Sequence, residues 1–421
     1  MRAEQLEMRS KGTWFWSLAI GAATVTVLAA VTSAIGADYP GPACLGCDYA
    51  GPPIEALARY DFGTFFATEP LMGSFSLILR LPTALLAGGS TLSEYRLGAL
   101  VCLLAPLALG LFLQREMEQR GAGRLQQLLV VGLCVANPLT FSAMHWGHPE
   151  EPLAGALCVA AVLLAADNRP IQAGVALGLA LATKPWAWLV VVPVLLAVPE
   201  RRKAMLLTAL GLGAAFTLPM LLGDPSRFLH HVGIVGVTGS GVTPFNIWWG
   251  YAHEGGAVVS GGSISSAYSI PAGLAALTHP LVVVVALAAS ALFWRKHPSP
   301  SATTALQLVA LVFLLRCLLD PLAISYHHVP FLLALTAAEA LRRRATSYLA
   351  LTVAAISLAM TKALATASPD TLSRVYLAWA LPVALYLAWT LSRADGLRFP
   401  APQSEQAKDA TGSIVLGTWT P

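Results

Sequence analysis

The amino-acid sequence predicts an all-α fold, a polytopic bundle of about ten to twelve transmembrane helices, on three observations. Of 421 residues, 56% are hydrophobic and only 11% are charged, and the mean hydropathy is +0.66, a composition that excludes an ordinary soluble domain. The apolar residues gather in runs that approach or exceed the length needed to cross about 30 Å of hydrocarbon. The basic residues sit in short clusters between those runs. The net charge of +4 therefore reads as membrane topology and not as nucleic-acid binding.

The first run, Trp14 to Ile35, follows Arg2, Arg9 and Lys11 and is too long for the core of a signal peptide. No small-residue cleavage site clearly precedes the Asp38-Tyr39-Pro40 turn, so the run reads as a transmembrane helix that starts in the cytoplasm. Leu71 to Leu86 is also apolar but carries Arg80 and Pro82. Counting it as a span would invert every later loop, which places it as an interfacial or re-entrant helix inside an extracytoplasmic loop over residues 37–90. Arg80 there either snorkels to lipid headgroups or meets an anionic ligand.

Further spans are expected at Leu97 to Leu113, Leu128 to Ala143, Leu153 to Ala166, Met205 to Leu222, Leu281 to Trp294, Ala302 to Leu319, Val329 to Leu341, Tyr348 to Ala363 and Val375 to Leu391. Alternation then puts Arg115/Arg120/Arg124, Arg169, Arg201/Arg202/Lys203, Arg295/Lys296, Arg342/Arg343/Arg344 and Arg393/Arg398 on the cytoplasmic side, with the N-terminus. Ile171 to Val198 begins and ends at such clusters yet holds Thr183-Lys184-Pro185 at its middle. Two helices of roughly a dozen residues are too short to cross, so the segment reads as a short hairpin or re-entrant pair with Lys184 at its tip. Residues 1–392 are expected to form one transmembrane domain, with a second large extracytoplasmic loop at 224–279 and a disordered cytoplasmic tail at 393–421.

This topology sorts the polar residues. Apart from His297, every histidine falls on the non-cytoplasmic side, as do Asp38, Asp48, Glu55, Asp61, Glu69, Glu150, Glu151, Asp224, Glu254 and Asp320. Non-cytoplasmic loops are poor in Lys and Arg in any case, which accounts for scattered acids better than for dense clusters. Cys102, Cys134, Cys158 and Cys317 lie in or beside apolar runs as small core residues, whereas Cys44 and Cys47 sit in a polar loop, as a disulfide or as two thiols.

Four clusters carry candidate chemistry. In the first loop, Asp48 can act as a general base if its surroundings tune its pKa, with Asp61 as the second candidate; the competing reading is a turn former or a solvated charge. The His145-Trp-Gly-His148-Pro-Glu150-Glu151 loop holds two histidines and two glutamates within seven residues, and can contact substrate or phosphate, hold a divalent metal, or cap a helix. No cofactor is called for, and a metal is compatible but not indicated. Lys184 is costly in a membrane unless it faces a cavity or a partner charge; a compact ammonium suits phosphate, and a carboxylate on a neighbouring helix would be the structural alternative. Arg316 and Asp320 are spaced so that a helix-surface pair is one reading, and contact with substrate or phosphate is the favoured one. Tyr326, His327 and His328 then sit at the mouth of the next helix, where they can bind a sugar or phosphate group. The Phe245-Asn-Ile-Trp248-Trp249-Gly-Tyr251 stretch reads as an interfacial aromatic belt or as a carbohydrate-stacking surface.

With these residues in place, the chain from Trp14 to about Leu391 resembles the GT-C superfamily of integral membrane glycosyltransferases. It is more closely similar to the bacterial polyprenyl-phosphate-mannose-dependent alpha-mannosyltransferase-like group, glycosyltransferase family 87. The resemblance implies a polyprenyl-phosphate sugar donor, a lipid or glycan acceptor, an inverting transfer and a catalytic carboxylate in the first extracytoplasmic loop. Such families often carry a paired acidic motif there; this chain has Asp48 alone, with Glu55 and Asp61 further on. The resemblance assigns the base to Asp48 and the stabilisation of the departing lipid phosphate to Lys184, Arg316, His145, His148 and His327. A transporter or flippase of a lipid-linked sugar, and a noncatalytic lipid-binding protein, are the readings from other classes. A transporter should carry ionisable residues deep in several spans, whereas here the charges gather on one face.

Overall fold

The computed structural model describes residues 14, 16–28, 50–67, 73–88, 91–226, 228–229, 241–258, 265–342, 347–362 and 366–393. Asp48, Cys44, Cys47 and the tail from residue 394 lie outside the described residues.

Helix α1 (Trp16–Leu28) leads to three short helices of the first loop, α2 (Gly51–Ala58), α3 (Phe62–Ala67) and α4 (Ser74–Leu86). At 1.5 Å per residue α4 is only about 20 Å long, so it cannot cross a bilayer upright. Helix α5 (Thr91–Gln119) is long enough to span with room to spare. Next come α6 (Arg124–Val135) and α7 (Pro138–His145), broken where Asn137 accepts a hydrogen bond from the Thr140 N–H and Pro138 starts the new helix. The single span expected from Leu128 to Ala143 is thus an interrupted one.

Helices α8 (Glu150–Ala166) and α9 (Pro170–Leu181) precede the Lys184 break, a 3₁₀ turn (Pro185–Val190) and α10 (Val191–Ala197). The two short segments read around Lys184 are therefore present. Helices α11 (Arg202–Gly223), α12 (Ala272–Lys296), α13 (Ala302–Leu319), α14 (Val329–Ala340), α15 (Tyr348–Lys362) and α16 (Pro369–Arg393) complete the bundle. Among the described residues, six helical segments are long and apolar enough to cross a membrane and five more are apolar but shorter. The chain is a multi-pass membrane protein.

One loop boundary is corrected, and the all-α class stands. The second large loop ends at Pro271 and not at residue 279, because α12 begins at Ala272 and carries His279 and Pro280 inside it. That loop also holds a small antiparallel hairpin, β1 (His253–Val258) with β2 (Ser265–Ser269), an exception to the all-α expectation that stays confined to the loop.

Helices α13 and α14 lie at the centre. The apolar window of α13 is 78% buried by protein, against 17% for α11, which leaves α11 a lipid-facing flank. Helix α8 packs between them and α9, with Gly155 allowing the close approach of Pro330 on α14. Helix α4 packs on α5, and its N-terminus is stapled to the Lys184 turn: the Gly73 N–H donates to Thr183 O (2.8 Å) and the Phe75 N–H to Ala182 O (3.1 Å). A Cβ on Gly73 would lie 1.9 Å from Ala182 O, so only glycine fits that contact.

Candidate active site

The backbone breaks set the site. Three of its polar residues directly precede a proline: His148-Pro149, Lys184-Pro185 and Asp320-Pro321. A proline disfavours helical backbone in the residue before it, and Lys184 (φ −142°, ψ 132°) and Asp320 (φ −84°, ψ 118°) are both extended. Their side chains are thereby delivered at helix ends. At His148 the device is a helix terminus: Gly147 takes a left-handed φ of 82°, the His148 N–H returns to Ala143 O and the Gly147 N–H to Met144 O, closing α7 and turning the chain into α8. Glu150 and Glu151 then fall in the first turn of α8, where the helix dipole favours carboxylates.

The first half of the site is a buried charge network centred on Glu150, which has no exposed surface. Its Oε2 accepts from Arg80 Nη2 at 2.7 Å, while its Oε1 accepts from His148 Nδ1 at 2.9 Å and lies 3.0 Å from Lys184 Nζ. Lys184 also reaches Glu151 Oε1 at 3.4 Å, and that oxygen accepts from Trp186 Nε1 at 3.2 Å. Two carboxylates thus face Arg80 and Lys184. In a low-dielectric interior such pairing, with hydrogen bonds, is what makes buried charge tolerable.

Arg80 does not snorkel to headgroups: it is buried, and α4 is fixed with its guanidinium turned inward onto Glu150. Both oxygens of Glu150 are taken by internal partners, the geometry of a counter-ion. Glu151 is a second counter-ion, and its Oε2 has no hydrogen-bond partner among the described residues. Its position beside Glu150 at a helix start was the available signal.

The second half is the turn between α13 and α14. The His148 ring stacks on Tyr326 (centroids 4.6 Å apart, planes 24° apart), and Tyr326 meets His327 edge-on at 4.6 Å. The Ile324 N–H donates to His327 Nδ1 (3.3 Å), which leaves the proton of a neutral His327 on Nε2. Burial, with the positive charges of Arg316, Lys184 and His148 and against the opposing Asp320, holds the His327 pKa well below the usual histidine range. His327 therefore shares one electrostatic neighbourhood with these four residues. Arg316 lies over the Trp186 ring at 5.2 Å and contributes one long hydrogen bond, 3.5 Å, to His327 O.

Arg316 and Asp320 do not form the alternative surface pair. Both are buried; Asp320 accepts from the Leu322 N–H at 3.0 Å and faces His279 of α12 at 3.8 Å. The Asp320 N–H still closes the i, i+4 backbone bond to Arg316 O (2.8 Å), so it is the turn of the carboxylate toward the Leu322 N–H and His279 that parts the two side chains.

Other expected residues lie apart. His145 is exposed against the edge of Trp146. Asp61 is exposed and caps α3 through the Thr64 N–H at 3.0 Å, the turn-former role. His328 is buried, with Nδ1 donating to Ile324 O and Ser325 O while Nε2 accepts from the Tyr376 hydroxyl at 2.9 Å, so both nitrogens are spent on packing. Trp248 and Trp249 are buried too, hydrogen-bonded to Leu319 O and Asp370 Oδ1, and form neither a membrane belt nor a sugar-stacking surface. Among the described residues no set of three or more His, Cys, Asp and Glu side chains is placed to hold a metal ion.

A buried cluster of cations, carboxylates and imidazoles at the helix ends of a multi-pass bundle fits a membrane enzyme that handles a charged group, and comparison with known proteins makes the class a membrane glycosyltransferase. The profile of glycosyltransferase family 87 matches residues 73–321, more than half of the chain. The chain belongs to that family. The matched segment includes Arg80, His148, Glu150, Lys184, Arg316 and Asp320 and stops short of Tyr326 and His327. Among solved structures it is similar to the archaeal oligosaccharyltransferase AglB from Archaeoglobus fulgidus in complex with an inhibitory peptide and a dolichol-phosphate, at 14% identity and a TM-score of 0.41, over 94% of this chain and 57% of that one. The chain thus spans little more than half the length of that structure's chain. No curated protein matches it by sequence.

Proposed function

We propose that this protein transfers a sugar, mannose or a similar hexose or pentose, from a polyprenyl-phosphate donor to a lipid or glycan acceptor on the extracytoplasmic face of the plasma membrane, with inversion. The observation that carries the reading is the convergence of Arg316, Lys184 and His327 around Trp186 and Tyr326 at the helix ends assigned to that face by the positive-inside rule.

In this reaction the bond from the anomeric carbon to the phosphate oxygen breaks, and a bond to the acceptor oxygen forms from the opposite side. The acceptor proton passes to a carboxylate, and the phosphate leaves with one more negative charge than it had in the donor. Arg316 brings a fixed charge and a planar set of donors suited to phosphate. The Nε2–H of neutral His327 adds a directed donor, and Lys184, held between Glu150 and Glu151, adds positive charge. Groups already oriented toward developing charge are worth most where water is excluded. Asp48 is the proposed base. It stands two residues before Ala50, which begins the chain into α2, and α2 packs on α4, the helix that carries Arg80.

The test is transfer from a panel of radiolabelled polyprenyl-phosphate sugars in membranes containing the protein, with Asp48→Asn as the paired variant. Transfer by the wild type and its loss in the variant is the expected result. Transfer retained in the variant removes Asp48 as the base, and no transfer from any donor contradicts the enzyme and favours passage of a lipid-linked sugar instead.

A further inference from the structure

The turn that presents His327 begins with a problem of unmet carbonyls. Helix α13 ends at Leu319, its last carbonyls lack intrahelical partners, and Pro321 brings no N–H to close another turn. The partners come from the second large loop, about 75 residues earlier in the chain. The Trp248 indole N–H donates to Leu319 O at 2.6 Å. The Thr243 N–H and the Asn246 side-chain amide both donate to Pro321 O, each at 2.8 Å, and the Thr243 hydroxyl donates to Ala323 O. Three alternate carbonyls, of residues 319, 321 and 323, are thus capped by donors from a six-residue stretch, Thr243 to Trp248.

That stretch is itself built to serve. Asn246 has no exposed surface; its amide also donates to Thr243 O (2.8 Å) and its Oδ1 accepts the Trp248 N–H (3.0 Å), which fixes the start of the 3₁₀ turn Ile247–Tyr251. Trp248 is buried with Leu319 in one apolar cluster, so the loop is packed down as well as hydrogen-bonded. The turn's own bonds, Ala323 N–H to Asp320 O and Ile324 N–H to His327 Nδ1, carry the constraint directly to the imidazole.

We infer that Asn246 and Trp248 are positioning residues: the second loop is a latch that sets the Asp320 to His327 turn in the register where His327 and Arg316 meet the donor phosphate. The inference rests on the function proposed above, and its consequence is selective. Loosening the latch weakens recognition of the donor and leaves recognition of the acceptor alone.

The experiment compares purified wild type with Trp248→Phe, which keeps the apolar packing and removes one donor, and with Asn246→Asp, which sets a carboxylate against two carbonyls. Two quantities are read: KM for donor and for acceptor, and binding of polyprenyl monophosphate. In Trp248→Phe the donor KM and the monophosphate Kd should both rise about three- to tenfold, the size of one hydrogen bond, with the acceptor KM unchanged. Asn246→Asp should show the larger effect of the same kind. Folded variants with unchanged donor KM and Kd would overturn the latch and leave the proposed function standing. A wild type that neither binds the monophosphate nor transfers from any donor would take down the function and the latch together.

Discussion

The two halves of the site handle charge in opposite ways. Around Glu150, two carboxylates meet Arg80 and Lys184, both Glu150 oxygens are occupied, and the side chains are buried. In the α13 to α14 turn, Arg316 rests on an aromatic face with one long hydrogen bond, and His327 spends its Nδ1 on the backbone while its Nε2 carries the proton. The lesson is a division of labour. The paired charges around Glu150 fix the scaffold and hold Lys184 in place, whereas among the described residues Arg316 and His327 make fewer internal polar contacts, which suits them to receive ligand charge.

The largest effect that can break this comparison is on stability. Glu150→Ala leaves Arg80 and Lys184 buried around a missing counter-charge, and should cost about 3–5 kcal/mol in detergent unfolding, the range for breaking a buried ion pair. An unchanged midpoint would show that the network is not scaffold. Arg316→Gln should behave in the reverse sense. Its cation–π contact is worth about 2 kcal/mol, less than a buried ion pair, so the fold should survive, whereas kcat for sugar transfer should drop by about 10²–10³, as when one donor to a developing anion is removed.

Next in size is the staple between α4 and the Lys184 turn. Gly73→Ala forces the backbone contact with Ala182 apart and should cost about 1–3 kcal/mol while lowering transfer, because Lys184 moves with the turn. Gly132→Ala in α6, where among the described residues no atom beyond its own helix lies within 4 Å of the new methyl group, is the paired control and should be neutral or stabilising by up to about 1 kcal/mol.

The smallest effect sharpens the distinction inside the turn. Burial holds the His328 pKa at about 4, below its ordinary 6.5, so between these values the unfolded chain binds the proton first. Stability from this residue is complete above pH 6.5 and falls as the pH drops toward 4. His328→Gln should flatten that part of the stability profile; a slope that persists in the variant would assign it to other groups.

Much of this was legible in the sequence. The apolar runs located α5, α8, α11, α13, α14, α15 and α16, because burial in lipid or protein demands long apolar segments and little else competes with that signal. Lys184 at a helix break was readable from Pro185, and the His148 turn from Gly147. Which buried charge faces which was not. Arg80 and Glu150 are 70 residues apart in the chain and meet only because α4 folds inward on the Gly73 contact. The start of α12 was missed because Pro280 looks like a loop residue, although it lies inside the helix in a segment held by packing. Trp248 and Trp249 misled for a related reason. Their composition matches a surface belt, while their indole N–H groups are drawn inward by orphan acceptors that only the folded chain brings near.

The most direct test of the central claim is polyprenyl monophosphate binding to the purified wild type, Arg316→Gln and Arg80→Lys, measured by the same titration. If the α13 to α14 turn receives the phosphate, Arg316→Gln should weaken binding by about tenfold or more and Arg80→Lys, which keeps the charge facing Glu150, should bind as the wild type does. Equal affinity in wild type and Arg316→Gln, or a loss confined to Arg80→Lys, would contradict the account and move the phosphate to the Glu150 network.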